Sequence, residues 1–342
     1  MQATTDIDIS GSRAAARLAF ARAASRDPNA TLQAASEDAS ARSYWRVGGA
    51  GDIAIVMDAP PGACDLGVWL DVAARLRAAG LNAPEVLAAD RERGFLLLSD
   101  LGTRPYLSEL NDRTAEGLYA DALDALLTMQ TGVDADGLPR YGETLLTAEL
   151  ELMPTWFLQR HLGIDIGCDE RDIIEVAFRL LIDNATMQPQ VFVHRDYHSR
   201  NLLVVPGHNP GIVDVQDAVL GPITYDLVSL LRDCYIKWDD TRVRGWAESH
   251  RLRLRAAGAL DSRVDAARWQ RWFDLTGLQR HLKVLGIFCR LWYRDGKRAY
   301  LGDLPRVWQY VHDVAPGYPE LRNFLALLEH WTEERDLTEP AP

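Results

Sequence analysis

The sequence predicts an α+β fold with a small antiparallel-sheet lobe in residues 1–101 and a large, mainly helical lobe in residues 102–342. Two patterns support this prediction. Short apolar runs between glycines and prolines fill most of the first part, as expected of antiparallel strands. Beyond Gly102, apolar residues recur at the spacing of about 3.6 that is typical of helices. A chain of 342 residues is long enough for two such lobes.

The small lobe is predicted to contain a sheet with one main helix packed against it. An alanine-rich segment at Ser12–Ala24 predicts an opening helix. The main helix is predicted at Val68–Ala79, where apolar residues share one face and Gly80 provides a C-cap. The apolar runs that predict strands are Thr31–Ala35, Ser43–Val47, Ile53–Met57, Glu85–Ala88 and Phe95–Leu98.

The large lobe is predicted to be helical except for a β insert. The insert consists of the short apolar runs Val191–Val193, Leu202–Val205 and Ile212–Val215. The predicted helices are Ala115–Met129, Thr147–His161, Asp172–Ala185, Tyr225–Lys237, Thr241–Ala256, Val264–Trp292, Leu304–His312 and Glu320–Glu334. The last residues, Leu337–Pro342, are expected to be frayed. This outline predicts an active site in the cleft between the lobes.

Composition excludes several classes of protein. The chain has 37 basic and 49 acidic side chains, a net charge of -12, so a nucleic-acid partner is not expected. There is no apolar stretch of the roughly 20 residues that a membrane span needs. The N-terminal residues lack the pattern of a signal peptide, and the four cysteines are widely separated, as expected of reduced thiols. We therefore predict a cytoplasmic protein without a membrane partner.

The most informative segment is Val191–Val205, in which apolar strands flank a polar loop of the form H-x-D-x-x-x-x-N. The loop contains Asp196 and Asn201, and the next apolar run leads to Asp214. Phosphoryl transfer requires groups of this kind, because the protein mainly positions the reactants and offsets charge. A carboxylate can accept the proton of an attacking hydroxyl, and an amide oxygen with a second carboxylate suits Mg²⁺. His194 is expected to brace the loop rather than act as a base.

This segment resembles the catalytic loop and metal-binding aspartate of the protein-kinase-like fold, and most closely those of the aminoglycoside phosphotransferase and choline kinase family. The resemblance covers nearly the whole chain and implies the bilobal architecture of that fold. It implies that Asp196 is the catalytic base and that Asn201 and Asp214 bind Mg²⁺, with ATP as phosphoryl donor. The run Phe95–Gly102 resembles the strand that enters the hinge, which implies that the Ser99 carbonyl and the Leu101 N–H hold adenine.

The chain lacks the phosphate-binding lysine that this family has in the small lobe. Its three lysines all lie in the large lobe, and the third strand offers Met57 instead. Arg42 and Arg46 are the candidate cations for the ATP phosphates. The small-residue turn around Ser40 occupies the place of the phosphate-covering loop, although it lacks glycines. The glycine-rich segment Gly48–Gly51 is interpreted as an ordinary turn between strands.

Several stretches narrow the resemblance to the sugar anomeric kinases of bacterial cell-wall recycling. These include Glu151–Leu158 and Gln279–Leu291. The subgroup phosphorylates N-acetylmuramate and N-acetylglucosamine at the C1 hydroxyl, which implies an amino-sugar substrate. A pyranose needs an aromatic platform and polar groups, and a muramate carboxylate needs an arginine. The candidate substrate-binding residues are Glu151, Trp156, Arg232, Tyr235 and Trp238.

Three alternatives remain open from the sequence. Another small-molecule kinase of this fold, acting on an aminoglycoside, a choline-like amine or a homoserine-like alcohol, would share the same catalytic residues. A nucleotide-binding pseudokinase is suggested by the absent lysine, although the base and both metal ligands are present. A protein kinase is disfavoured, because Asp214 is followed directly by a helix rather than an activation segment. That helix opens with Tyr225-Asp226, and Asp226 is expected to cap it or brace the loop.

Overall fold

The structure is a computed structural model, and it describes residues 3–36, 42–49, 54–62, 65–333 and 335–341. The chain divides into two compact units. The first unit comprises Met1–Arg104 and Leu203–Gln216, and the second comprises Pro105–Leu202 and Asp217–Pro342. The segment Leu203–Gln216 thus belongs with the N-terminal residues, whereas the sequence predicted a single boundary after residue 101.

The first unit is built on a five-stranded antiparallel sheet with the order β1-β2-β3-β5-β4. The strands are β1 Thr31–Ser36, β2 Ser43–Gly48, β3 Ala54–Asp58, β4 Val86–Asp90 and β5 Phe95–Ser99. All the strands predicted here are confirmed within two residues at each end. The central strands β3 and β5 are nearly continuously apolar because most of their side chains are buried.

Two helices belong to this unit. Helix α1, Ala3–Ser25, packs on the sheet, and its Phe20 ring stacks on Phe95 at 5.5 Å between centroids. Helix α2, Leu66–Ala78, begins where the Asp65 side chain accepts a hydrogen bond from the Gly67 N–H at 2.7 Å. Both predicted helices are therefore confirmed, and α1 is longer than its alanine-rich segment indicated.

The returning segment completes the first unit with a short strand. Strand β7, Leu202–Leu203, pairs with β8, Gly211–Ile212. The Ile212 N–H donates to the Asn82 carbonyl at 2.8 Å, which ties β8 to the loop after α2. This attachment sets the position of the residues that follow β8, including Asp214.

The second unit is mainly helical. Its α-helices are α3 Tyr106–Glu109, α4 Ala115–Gly132, α5 Glu143–Leu150, α6 Cys168–Thr186, α7 Tyr225–Leu231, α8 Asp240–Ala256, α9 Ala266–Asp295, α10 Leu304–Val314 and α11 Arg322–Thr332. Helix α9 runs through the main apolar core, and most of its side chains are buried. Strands β6, Gln190–Val193, and β9, Val219–Pro222, form an antiparallel pair beside the helices. The sequence analysis missed β9.

Two predicted helices in this unit have the wrong extent. The prediction of one helix over Thr147–His161 is wrong because α5 ends at Leu150 and Met153–His161 is a π-helix. The backbone is close to α9 here, since a Cβ on Gly286 would lie 2.3 Å from the Leu152 carbonyl. The predicted helix Tyr225–Lys237 ends at Leu231, because the chain turns there to bring Asp233 against the loop before β7.

The C-terminal residues and the cysteines complete the description. The prediction of a frayed end is wrong for Leu337, which is buried, with its carbonyl 2.8 Å from Nε2 of His161. Cys168, Cys234 and Cys289 are free thiols, as predicted, and Cys64 lies outside the described residues. No helix in the described part of the chain is long and apolar enough to cross a membrane.

Candidate active site

The predicted catalytic loop, His194–Asn201, connects β6 to β7 and is braced by two buried carboxylates. Asp226 of α7 accepts the His194 N–H at 2.6 Å and the Arg195 N–H at 3.0 Å. Asp233 accepts the Ser199 N–H at 2.9 Å. These bonds fix the loop backbone at both ends of the H-x-D-x-x-x-x-N motif. The prediction that Asp226 braces the loop is confirmed.

The residue before Asp196 has an unusual backbone conformation. Arg195 has φ +75°, in the left-handed region that side chains other than glycine rarely adopt. Asp214 has φ +65°, and Arg26 is the remaining non-glycine residue with positive φ in the described part of the chain. Strain of this kind persists only where the surroundings impose it, and it concentrates at functional sites. Two of the three strained residues thus lie in the predicted catalytic segments.

Asp196 is an accessible carboxylate in a positively charged environment. Its side chain is 37% exposed, and its Oδ1 lies 3.8 Å from Nη2 of the buried Arg280 of α9. Burial among protein atoms would raise the pKa of Asp196, but nearby positive charges, first of all Arg280, lower it to about 2. Asp196 is therefore ionised at neutral pH and can accept a hydrogen bond or a proton from a hydroxyl group.

Asn201 and the histidines complete the loop. The side-chain amide of Asn201 donates to the main-chain carbonyl of Asp196 at 3.0 Å. This bond connects the predicted metal ligand to the backbone of the predicted base. His194 is fully buried, and its ring lies edge-on to Tyr197 at 6.1 Å, consistent with a structural role. His198 is also buried, and burial lowers the pKa of its imidazole.

A buried charged network, which the sequence analysis missed, lies behind the loop. Glu149 of α5 accepts hydrogen bonds from Arg195, from Tyr141 and, at 2.8 Å, from Nζ of Lys283. Burial would raise the pKa of Glu149, but Lys283 and Arg195 lower it. Lys283 also donates to the Tyr225 hydroxyl at 3.2 Å. This network connects α5, α7 and α9 to the residue that precedes Asp196.

Asp214, the predicted second metal ligand, follows β8 in the first unit. Its Oδ1 accepts hydrogen bonds from Arg42 Nη2 at 3.0 Å and from the Gln216 amide at 2.8 Å. A carboxylate is the hard oxygen donor that Mg²⁺ prefers, and Asn201 of the second unit carries an amide oxygen of the same class. No group of three or more His, Cys, Asp or Glu in the described residues could hold a metal ion. Each of these two groups is by itself an oxygen donor of the kind that Mg²⁺ takes.

The predicted nucleotide-binding residues also lie in the first unit. Ser99 ends β5, where its N–H donates to the Glu85 carbonyl at 2.9 Å. Leu101 packs beside β8, since a Cβ on Gly211 would lie 3.2 Å from its side chain. Arg46 is bound by Asp100, with 2.5 Å between Nε and Oδ2. Ser40 lies outside the described residues, as do Ala50 and Gly51 of the glycine-rich segment.

Most of the predicted substrate-binding residues have protein partners in this structure. Arg232 is 2% exposed and donates to Asp274 at 2.6 Å, so its guanidinium has almost no accessible surface. Glu151 accepts a hydrogen bond from Arg171 at 3.0 Å. Tyr235 is covered on one face by the Arg200 guanidinium at 3.5 Å, and the Trp238 indole donates to the Tyr119 hydroxyl at 2.8 Å.

Trp156 differs from these four residues. It lies half-buried on the π-helix Met153–His161 and packs against the edge of the main core. Four of the five candidates for the sugar site are therefore engaged by other side chains, whereas the Trp156 ring lies half-buried at the edge of the core.

Comparison with known proteins finds a family model and relatives that match most of this chain. A model of the phosphotransferase enzyme family matches residues 31–260. A protein of Pseudomonas putida named N-acetylmuramate/N-acetylglucosamine kinase is 44% identical over 294 residues, which cover 86% of this chain and 86% of the relative. A protein of the same name from Neisseria meningitidis is 36% identical and covers 91% of this chain and 93% of the relative.

Solved structures with the same fold are more distant in sequence. A choline/ethanolamine kinase family protein from Mesorhizobium loti has a TM-score of 0.61 at 17% identity, covering 93% of this chain and 99% of that chain. An ADP-bound aminoglycoside phosphotransferase has a TM-score of 0.55 at 13% identity, covering 82% of this chain and 92% of that chain. These likenesses confirm the predicted protein-kinase-like fold.

Proposed function

Because the chain belongs to the phosphotransferase enzyme family, we propose that it transfers a phosphoryl group from ATP to the C1 hydroxyl of N-acetylmuramate and N-acetylglucosamine. The observation that carries phosphoryl transfer is the ionised, accessible Asp196 on a braced loop. The choice of amino sugar rests on the names of the relatives. The proposed reaction produces a sugar 1-phosphate, in keeping with a role in cell-wall recycling in the cytoplasm.

In this proposal, Asp196 orients the acceptor hydroxyl and takes its proton. The low pKa makes Asp196 a weak base, yet a hemiacetal hydroxyl is more acidic than an ordinary alcohol, so a strong base is not required. Phosphoryl transfer also depends more on positioning than on proton abstraction. Arg195 and Asp226 hold the backbone of Asp196 in place for this role.

Asn201 and Asp214 are proposed as the ligands of Mg²⁺. When bound, the ion would help to offset the negative charge of the ATP phosphates. Asn201 is already oriented by its bond to the Asp196 carbonyl, while the Asp214 carboxylate is bound to Arg42. Arg42 thus engages Oδ1 of Asp214, and a cation that binds at this oxygen competes with the ion pair.

Arg42 is the proposed replacement for the phosphate-binding lysine. Met57, at the expected position on β3, is fully buried and apolar. Arg46 is bound to Asp100 and to the Gly102 carbonyl, which fits support of the adenine-binding strand end at Ser99 and Leu101. Arg42 is the cation that lies against the proposed metal ligand, and a guanidinium suits phosphate oxygens.

The proposed function is tested by NMR on the purified protein with Mg-ATP and each sugar, with kanamycin and choline in parallel. We expect a new sugar resonance in which the anomeric proton is coupled to phosphorus. If the sugars remain unchanged while kanamycin or choline is phosphorylated, the proposed substrate is wrong, but the proposed role of the catalytic loop is retained. If nothing is phosphorylated, a nucleotide-binding pseudokinase is favoured, and titration with Mg-ATP tests that possibility.

A further inference from the structure

One face of helix α9 carries a row of basic side chains. Arg280, Lys283, Arg290 and Arg294 repeat at spacings that bring them to the same side of the helix. The row begins at Arg280, beside Asp196, and continues toward the C-terminal end of α9. It is a local concentration of positive charge in a chain whose net charge is -12.

Three members of this row have carboxylate neighbours within the second unit. Arg280 lies 3.8 Å from Asp196 and donates to the Arg195 carbonyl at 2.8 Å. Lys283 pairs with Glu149 at 2.8 Å. The Arg294 guanidinium is exposed and pairs with the adjacent Asp295 at 2.8 Å. Their positive charges are therefore already compensated by the protein.

Arg290 is the exception. It is partly buried, and its Nε is buried without a hydrogen-bond partner among the described residues. Burial and the neighbouring Arg294 lower the pKa of this guanidinium by more than the Asp295 and Glu149 carboxylates raise it. No carboxylate among the described residues forms an ion pair with Arg290, so the accessible part of its guanidinium is available to a ligand that carries an anion.

The position of Arg290 relates it to the catalytic loop. Its Cα lies roughly 15 Å along the helix from that of Arg280, and helical side chains lean back toward the N-terminus. The Glu149 charge acts on the pKa of Arg290, so this guanidinium lies within electrostatic range of the network behind the catalytic loop. Ile287, on the same face between Lys283 and Arg290, is half-buried and offers apolar surface.

We infer that Arg290 binds the carboxylate of an acidic sugar acceptor whose hydroxyl lies at Asp196, so that the enzyme favours N-acetylmuramate over N-acetylglucosamine. The two sugars differ by a lactyl group that carries one carboxylate, and the planar guanidinium of arginine matches a carboxylate with two parallel hydrogen bonds. This inference rests on the proposed function and specifies its substrate preference.

Because the protein is strongly acidic overall, binding of an acidic sugar depends on a local positive charge such as Arg290. An anionic substrate gains nothing from the overall charge of the protein, whose exposed charges are screened beyond about 8 Å. A partly desolvated cation at contact distance is not screened in this way, and its interaction with a carboxylate is correspondingly stronger. Arg290 therefore provides an attraction that the rest of the surface does not supply.

The test compares KM and kcat of wild type, Arg290→Gln and Arg294→Gln for both sugars. We expect Arg290→Gln to raise KM for N-acetylmuramate by about tenfold or more, because a lost contact with a non-reacting group weakens binding uniformly. Its kcat, and KM for N-acetylglucosamine and ATP, should change by less than about twofold. Arg294→Gln, the matched control on the same helix face, should leave all of these constants near wild type.

A second measurement does not depend on a variant or on turnover. Calorimetric titration of the wild-type protein with N-acetylmuramate and with its neutral methyl ester should give a Kd about tenfold weaker for the ester. If Arg290→Gln fails to fold, as judged by circular dichroism, Arg290→Lys takes its place, and the difference in Kd between acid and ester should be smaller than in the wild type because lysine cannot form two parallel hydrogen bonds. Equal affinity for acid and ester would overturn the inference.

Other outcomes separate this inference from the proposed function. Equal losses for both sugars in Arg290→Gln would make Arg290 a structural residue, and a raised KM for ATP alone would make it a phosphate contact. Either result overturns the inference while the sugar kinase activity stands. If wild type phosphorylates neither sugar and binds neither, the proposed function fails with it.

Discussion

The two units hold their candidate catalytic carboxylates in different ways. In the second unit, Asp196 is positioned through its backbone, because Asp226 and Asp233 bind the N–H groups around it. Its carboxylate remains 37% exposed. In the first unit, Asp214 is positioned through its side chain, which accepts hydrogen bonds from Arg42 and Gln216.

This difference matches the chemistry proposed for each residue. A base must be ready to accept a proton, so its carboxylate stays accessible while buried groups fix its backbone. A metal ligand exchanges partners as the metal-nucleotide binds and leaves, so an ion pair with one arginine is a suitable resting arrangement. The second unit is therefore pre-organised around Asp196, whereas the first unit holds Asp214 through side chains that can exchange partners.

The largest expected effect comes from Asp196→Asn. The substitution keeps the shape and backbone bonds of the loop but removes the charge and the basic oxygen, so kcat should fall by roughly 10³-fold. Steady-state kinetics and a nucleotide titration measure the two consequences, and the Kd for ATP should stay within about twofold. Asp112→Asn, at a side chain that is 93% exposed, is the matched control. Turnover above a tenth of wild type would contradict the assignment of the base.

Removing the charge of Glu149 should test the pre-organisation of the second unit. Glu149→Gln leaves Lys283 and Arg195 buried without their carboxylate, which should lower the free energy of unfolding by about 3–5 kcal/mol. Urea unfolding measures this change. The control is Glu143→Gln, whose ion pair with Arg179 is 60% exposed on both sides and should contribute at most about 1 kcal/mol. Equal effects in the two variants would show that the network is not a stability element.

Arg42→Gln should test how the first unit holds Asp214. Losing the cation proposed for the ATP phosphates should raise KM for Mg-ATP by about tenfold, or about 1.4 kcal/mol. Kinetics at varied Mg²⁺ and ATP, together with nucleotide binding by titration, separate the metal from the phosphates. Arg77→Gln, an exposed arginine of the same unit paired with Glu85, is the control. Tighter binding of Mg-ATP in Arg42→Gln would mean that Arg42 only blocks Asp214.

The smallest expected effect concerns the backbone of Arg195. Arg195→Gly and Arg195→Ala both lose the pair with Glu149, but only glycine adopts φ +75° without strain. The glycine variant should therefore be more stable than the alanine variant by about 1 kcal/mol, as measured by urea unfolding. Equal stability would indicate that the loop relaxes to another conformation and is less rigid than its hydrogen bonds suggest.

The chemistry of the loop could be predicted from sequence because it is local. Asp196 and Asn201 are separated by a fixed spacing between two apolar runs, and Asp214 ends the next one. The strands of the first unit were predictable for the same reason, since glycines and prolines separate them. The extent of α7 could not be predicted from sequence, because the turn after Leu231 depends on the hydrogen bond between Asp233 and Ser199.

The buried network could not be predicted in this way. Glu149, Arg195 and Lys283 are far apart in the chain and meet only through the packing of α5, α7 and α9. A signal was present, because Lys283 stands within an otherwise apolar stretch of a helix that proves to be buried. A buried lysine requires a carboxylate partner, but nothing in the sequence around Lys283 indicates that the partner is Glu149.

The first unit is formed by two separate segments of the chain, and this has a consequence for biosynthesis. Residues up to Arg104 leave the ribosome first, but Leu203–Gln216 follows only after roughly 100 more residues, or about 5–20 s of translation. Until then, the Asn82 carbonyl lacks the Ile212 N–H that ties β8 to it. We expect this unit to finish folding after much of the other has emerged. Ribosome-bound chains that stop before Leu203 should therefore be cleaved by protease in this unit more readily than chains in which Gln216 has emerged, and equal resistance would refute this order.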